Sequence, residues 1–199
     1  MVAQAAQTAL EVALGYARRG TSLARVALAG STCCEAFRHY PAKDVVDAQS
    51  GCRFYYHAHP SSRRPADEHG HFHLFAHATA GQGYVHLGAL SLDDRGNPLR
   101  WFMTNGWVTG ESLEAARCAE DALGGFCVRT RGRLAPLARW LSAMVRLYAE
   151  DLRDLLAQRD AWLAQQAAAR DVRTVWEDRQ FDVVCERSID WMGRLARWV

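Results

Sequence analysis

Apolar and polar residues recur along this chain with two different periods, and the changes of period divide it into three stretches. Between residues 3 and 19 the apolar positions Ala6, Leu10, Ala13, Leu14 and Ala17 fall at helical spacing, and Gly20 closes the run. Residues 22–39 predict a second, shorter helix. It ends at the Tyr40-Pro41 step, because a residue before proline is driven out of the helical region. From Cys52 to Val108 the period falls to two. The segments CRFYYHAH, HGHFHLFAHA, YVHLGALSL and LRWFMTNGWV are rich in aromatic and branched residues and are bounded by turn-forming residues. Turn signals are strong at 79–83 (TAGQG) and 93–98 (DDRGNP), and the connection over 60–68 is longer and polar. The pattern predicts a four-stranded antiparallel meander.

Helical periodicity returns after Val108. Thr109 is suited to cap the segment GESLEAARCAEDAL, which stops at Gly124-Gly125. Pro136 opens a long amphipathic helix whose apolar face carries Leu137, Trp140, Leu141, Met144, Val145, Tyr148, Leu152, Leu155, Leu156 and Leu163. At a rise of about 1.5 Å per residue it exceeds roughly 40 Å, enough to wrap the sheet or to meet a partner helix in a homo-oligomer. Near the end, FDVVCE reads as a short strand or as coil, and SIDWMGRLARWV as a helix capped by Ser188. Strands segregated from helices in this way predict a single α+β domain over 1–199. Its parts are a helical stretch (1–50), the sheet (52–108) and a helical stretch (109–199), with helices over one sheet face.

Composition sharpens this picture. About half the residues are hydrophobic, so a chain of 199 residues can bury a sizeable core. The 24 basic and 22 acidic residues are spread evenly, which argues against nucleic acid or an anionic membrane as partner. No run approaches the roughly 18 apolar residues of a membrane span. The N-terminal stretch reads as a helix and not as an export signal, and the six cysteines lack CxxC spacing. The expectation is a cytoplasmic protein with reduced thiols packed as small hydrophobes.

Six of the eight histidines lie between Phe54 and Gly81, and His86 follows closely. On a strand, residues two apart share a face. Tyr55, His57 and His59 therefore share one face of their strand, and His69, His71, His73 and His77 share one face of the next. Pairing of the two strands would set two H-x-H pairs opposite one another, with facing Cβ atoms about 5 Å apart. The expected ligands of a single metal ion are His57, His59, His71 and His73, with His69 and His86 as replacements if the register differs. Neutral imidazole suits Zn, Fe, Cu, Ni or Mn, and the residues do not choose among these divalent transition metals. Three histidines with an open position would make a catalytic site, and four closed ligands a structural one. Tyr55, Glu68 and His71 are the candidate catalytic residues. Asn105, Thr109 and Glu111 are polar at a strand end and could line a pocket or serve as turn and cap residues.

HGHFHLF resembles the histidine-triad motif of nucleotide hydrolases and transferases, over seven residues. That resemblance implies a metal-free phosphoesterase with His71 as nucleophile, although Gly70 and the segment's place on an early strand depart from the pattern. Over the full length, the combination of HAHP, EHGHFHLF and MTNGWVTGE resembles an uncharacterised bacterial protein family without assigned function, from which no activity follows. The favoured expectation is a histidine-rich metal-binding protein, in particular a metal-dependent enzyme (hydrolase or oxidoreductase) acting on a small molecule. A non-catalytic metal-binding or sensor protein and the histidine-triad-like phosphoesterase are the alternatives.

Overall fold

In a computed structural model of the chain, residues 1–77 and 83–198 are described, with the side chains of all of these except Glu114 and Ala115. Six strands form one antiparallel sheet in chain order: β1 (Tyr40–Val46), β2 (Arg53–His57), β3 (Gly70–His77), β4 (Tyr84–Leu92), β5 (Pro98–Thr104) and β6 (Val183–Ser188). The helices are α1 (Val2–Ala17), α2 (Leu23–Ala27), α3 (Gly106–Thr109), α4 (Leu113–Ala116), α5 (Ala119–Leu123), α6 (Ala135–Leu147), α7 (Ala149–Gln166), α8 (Val172–Trp176) and α9 (Trp191–Ala196).

The α+β class and the antiparallel meander stand, but the sheet has six strands and not four. The expected strands are β2 to β5. Their outer backbone groups would be unpaired, and each edge is covered by one more strand. β1 occupies part of the stretch expected to be helical. It tolerates Pro41 because an edge strand needs only one side of its ladder. β6, which could have been coil, pairs with β5 from Arg100↔Ser188 to Thr104↔Val183. The turn expected at 79–83 lies, apart from Gly83, outside the described residues. At 93–98 the turn forms: Asp93 Oδ1 accepts the Asn97 amide at 2.7 Å, and Gly96 takes φ +85.

Several helices are shorter than their periodicity predicts. The helix expected over 22–39 is reduced to α2, because Ala29 (φ 53) and Gly30 (φ 101) turn the backbone left-handed. The segment after Thr109 breaks into pieces. Asn105 caps α3, its side chain accepting the Gly106 amide at 3.1 Å, and Gly110 ends it in the left-handed region. Asp190, not Ser188, caps α9, accepting the Gly193 amide at 2.9 Å. The single long helix is two, α6 and α7, separated by Tyr148 at φ −112, ψ 22. The break lets α6 pack along α1 while α7 runs over β4, β5 and β6.

One face of the sheet and these helices share the core. Phe54, Tyr56, Phe72, Leu74, Leu90 and Trp101 meet the stripe of α6 and α7. Trp140, Met144, Tyr148 and Leu155 are all buried, as their spacing predicted, and Leu155 is fully so. Leu155→Ala should therefore destabilise the protein by about 2–5 kcal/mol, read from urea unfolding, because the lost contacts and the residual cavity add. A loss below a few tenths would show that α7 does not close this core.

Candidate metal centre

The strand alternation that sends Phe54, Tyr56, Phe72 and Leu74 into the core sends their neighbours to the opposite face. That face carries Tyr55 and His57 on β2, His71, His73 and Phe75 on β3, and Phe102 and Thr104 on β5. The register sets His57 directly opposite His71 and Tyr55 opposite His73. The expected shared face is therefore present, shifted by one pair. β2 ends at His57, and the chain then turns into the loop that precedes Pro60, so His59 has no partner strand. Its half-buried ring stands at the rim, with centroids 5.1 Å from His57 and 5.3 Å from His71.

A bulge brings in the third strand. Leu74 pairs with Gly88 but Phe75 pairs with His86, so Leu87 is an extra residue in β4. Regular pairing would set His86 opposite Ala76, on the core face. The bulge re-aims it toward His73, and Gly88, at φ +142, supplies the backbone conformation. Leu87 remains in the core.

Within this face three imidazoles converge. His57 Nε2 lies 2.7 Å from His71 Nε2 and 3.2 Å from His73 Nε2. Two ligand nitrogens about 2.05 Å from one tetrahedral ion lie roughly 3.3 Å apart, which the 3.2 Å separation matches and the 2.7 Å separation falls short of. His57, His71 and His73 can hold a metal ion, and all three are buried. The far nitrogens of two rings are engaged. His71 Nδ1 lies 2.7 Å from Glu68 Oε1, and His73 Nδ1 lies 3.0 Å from His86 Nε2. The other nitrogen of His86 faces Thr104 Oγ1 at 3.5 Å. An ionised carboxylate only accepts, so His71 donates from Nδ1, which in the neutral ring leaves Nε2 as the acceptor. Glu68 is fixed in turn by Arg100, whose Nη2 reaches Oε2 at 3.2 Å and whose Nη1 also pairs with Glu186. Carboxylate behind histidine, as Glu68 stands behind His71, is an outer contact that orients metal-binding imidazoles.

Electrostatics favour neutral rings here. Burial, with repulsion from His71, His59 and His39, pushes His57 down to about 2. Burial and the neighbouring histidines hold His73 well below the usual imidazole range. Burial, Arg159 and His71 push His86 down to about 3. Burial would raise the Glu68 carboxyl, but the His71 contact and Arg100 outweigh it and keep the group below its ordinary value.

A cleft of about 80 Å³ opens onto His71 and His73. Its walls include His59, Arg63, Arg100, Phe102 and Trp107. The volume admits a few water-sized groups.

The remaining expected residues take other places. Tyr55 is on the histidine face. Its ring stacks on His39 at 3.8 Å and lies 5.2 Å from His73, and burial raises its phenol pKa. His69 precedes β3, and its Nδ1 meets Tyr56 Oη at 2.7 Å, on the core side of the sheet. His69, His71 and His73 therefore do not line one face as a histidine triad would. His77 is exposed at the far end of β3. Asn105 binds the Val175 and Asp178 carbonyls at 2.8 and 3.2 Å and is a buried cap. Thr109 is not the cap expected. It closes α3, and its hydroxyl is buried without a partner. Glu111 accepts the His86 amide at 2.7 Å, and burial lifts its pKa to about 7 against the pull of Arg159 and that amide.

Sequence reasoning missed His39, distant in sequence yet edge-on to His57 at 5.6 Å, and the anchoring role of Arg100. No local signal marks either one. Glu68 was legible as a candidate because it lies near the mouth of the first hairpin, beside the histidines.

Among the described residues no helix is long and apolar enough to cross a membrane. No curated protein and no solved structure matches the chain. A family model described as a domain of unknown function, DUF6969, matches residues 3–189, nearly the whole length, so the chain belongs to the DUF6969 family.

Proposed function

We propose that His57, His71 and His73 bind one divalent transition metal ion, and that the protein is a metal-dependent enzyme acting on a small molecule admitted through the cleft. One observation carries the reading. Three imidazole Nε2 atoms meet, while the outer nitrogens of two of the rings are engaged by Glu68 and His86. Neutral imidazole has one N–H, so His57 Nε2 can make at most one good hydrogen bond across its two contacts. The other contact brings lone pairs together in a buried place. A cation at the meeting point would satisfy all three.

Three protein ligands with a cleft above them leave room for a substrate, the form of a catalytic and not a structural centre. Bound there, Zn, Fe, Cu, Ni or Mn would supply Lewis-acid polarisation or, for Fe and Cu, redox chemistry. The chain's own groups divide the remaining work. Glu68 and Arg100 orient His71, and Thr104 and His86 orient His73. Phe102 and Trp107 wall the cleft, and Arg63 at its mouth would favour an anionic substrate. His59, half-buried at the rim, is placed to exchange a proton with a molecule in the cleft.

The test is a titration of the untagged apo-protein with Zn²⁺, Fe²⁺, Ni²⁺, Cu²⁺ and Mn²⁺, followed by calorimetry and thermal melting. At least one ion should bind one per chain at micromolar concentration or below. At a hundred times its Kd it should stabilise the fold by about 2.7 kcal/mol. If no ion binds at micromolar concentration, the metal centre is wrong and the catalytic reading falls with it.

A further inference from the structure

A second cleft, of about 540 Å³, shares no lining residue with the first. It lies where the end of α1 and the turn after α2 meet the start of α6. Three arginines line it, Arg19, Arg25 and Arg133, and no carboxylate does. Among the described residues none of the three has an acidic partner. Arg19 lies over the Tyr16 ring at 5.0 Å, Arg25 Nη1 donates to the Thr32 carbonyl at 3.0 Å, and Arg133 donates to the Ala29 carbonyl. Each guanidinium has five N–H donors, so those contacts leave most donors available.

Tyr16, 4% exposed, forms part of the cleft wall, with its hydroxyl buried toward the Leu137 amide. The wall beside it is the start of α6, thirteen residues long and without a side-chain cap, with Pro136 in the lining. The positive end of its dipole adds to the field of the three arginines.

We propose that this cleft binds a phosphomonoester of a small soluble molecule. The three arginines hold the phosphate oxygens. Guanidinium forks match phosphate geometry, and a dianion answers the concentration of positive charge. The volume is within the range of small-molecule sites, so an organic group fits beside the phosphate, against Val26 and Pro136.

The test is calorimetry on the full chain in phosphate-free, low-salt buffer with inorganic phosphate, glycerol phosphate and glycerol. Both phosphates should bind and glycerol should not. Arg19→Gln with Arg133→Gln should weaken binding by about tenfold or more. Arg63→Gln, in the histidine cleft, should leave phosphate binding as it is. The proposal is overturned if neither phosphate binds below about 10 mM, if the double variant binds like the parent protein, or if Arg63→Gln removes the response. Sedimentation with phosphatidic acid vesicles, without a response to the soluble phosphates, would also overturn it, since the ligand would then be a lipid headgroup.

Discussion

Replacing His71 with alanine should weaken metal binding by more than about a hundredfold, whereas Glu68→Gln should cost about ten- to a hundredfold. The order follows from position. His71 offers Nε2 to the ion directly, 2.7 Å from the matching atom of His57. Glu68 acts through His71, fixing its tautomer and making it more basic. His57→Ala and His73→Ala should fall with His71→Ala. His59→Ala separates the two forms of the site. Its ring stands at the rim outside the converging trio, so the variant should bind metal within a few-fold of the parent protein. If it loses as much as His71→Ala, the centre has four histidines and no open position, and the non-catalytic reading replaces the enzyme. If Glu68→Gln changes nothing, the hydrogen bond behind His71 does not set the affinity. Calorimetric Kd values for the five variants decide all three points.

Metal-free protein should lose stability steeply as the pH falls below about 6.5. Unfolded, each histidine takes up a proton near that pH. Folded, His57 and His86 stay neutral until about 2 and about 3. Between those limits the unfolded state binds more protons, so stability rises with pH and is lost as pH drops. Each such group contributes up to about 1.4 kcal/mol per pH unit, and two contribute up to about 3. From pH 6.5 to 4.5 the loss approaches the lower end of the roughly 5–15 kcal/mol that holds a typical domain folded. His73, shifted the same way, adds to the slope, while Glu111, lifted to about 7, takes up its proton earlier in the folded state and offsets about one histidine down to about pH 4.5. The same shifts move proton competition for a bound metal below the pH near 6.5 expected for free imidazole. Urea unfolding of the apo-protein at pH 7.5, 6.5, 5.5 and 5.0 measures the slope. A flat profile across this range would show that the histidines are not held neutral by the fold. Prior loading with metal should lessen the slope, since the ion occupies the nitrogens that protons would take.

The legible part of this protein lies in its periods. Alternation over 52–108 determined that the sheet is antiparallel, that Tyr55, His57, His71 and His73 share a face, and that Phe54, Tyr56, Phe72 and Leu74 share the other. Helical spacing determined that Trp140, Met144, Tyr148 and Leu155 are buried, because a period specifies which side of an element faces the core whatever that element meets. Periods say nothing about partners across long sequence separations. The recruitment of β6 from the far end of the chain, and of β1 from a stretch that reads as helix, depends on two exposed sheet edges that exist only once β2 to β5 have paired. Register is likewise a tertiary outcome. His57 meets His71, and His59 is left at the rim, because β2 ends before His59 can pair. One extra residue in β4 decides the place of His86. Alternation alone sets it on the core face, and the bulge at Leu87 and Gly88 turns it to His73. Arg100 and His39 reach the site only through strand neighbours and ring stacking. The sequence thus settled which imidazoles could meet. The strand ends and the bulge decided which three do, because a one-residue shift in a ladder moves a side chain to the opposite face.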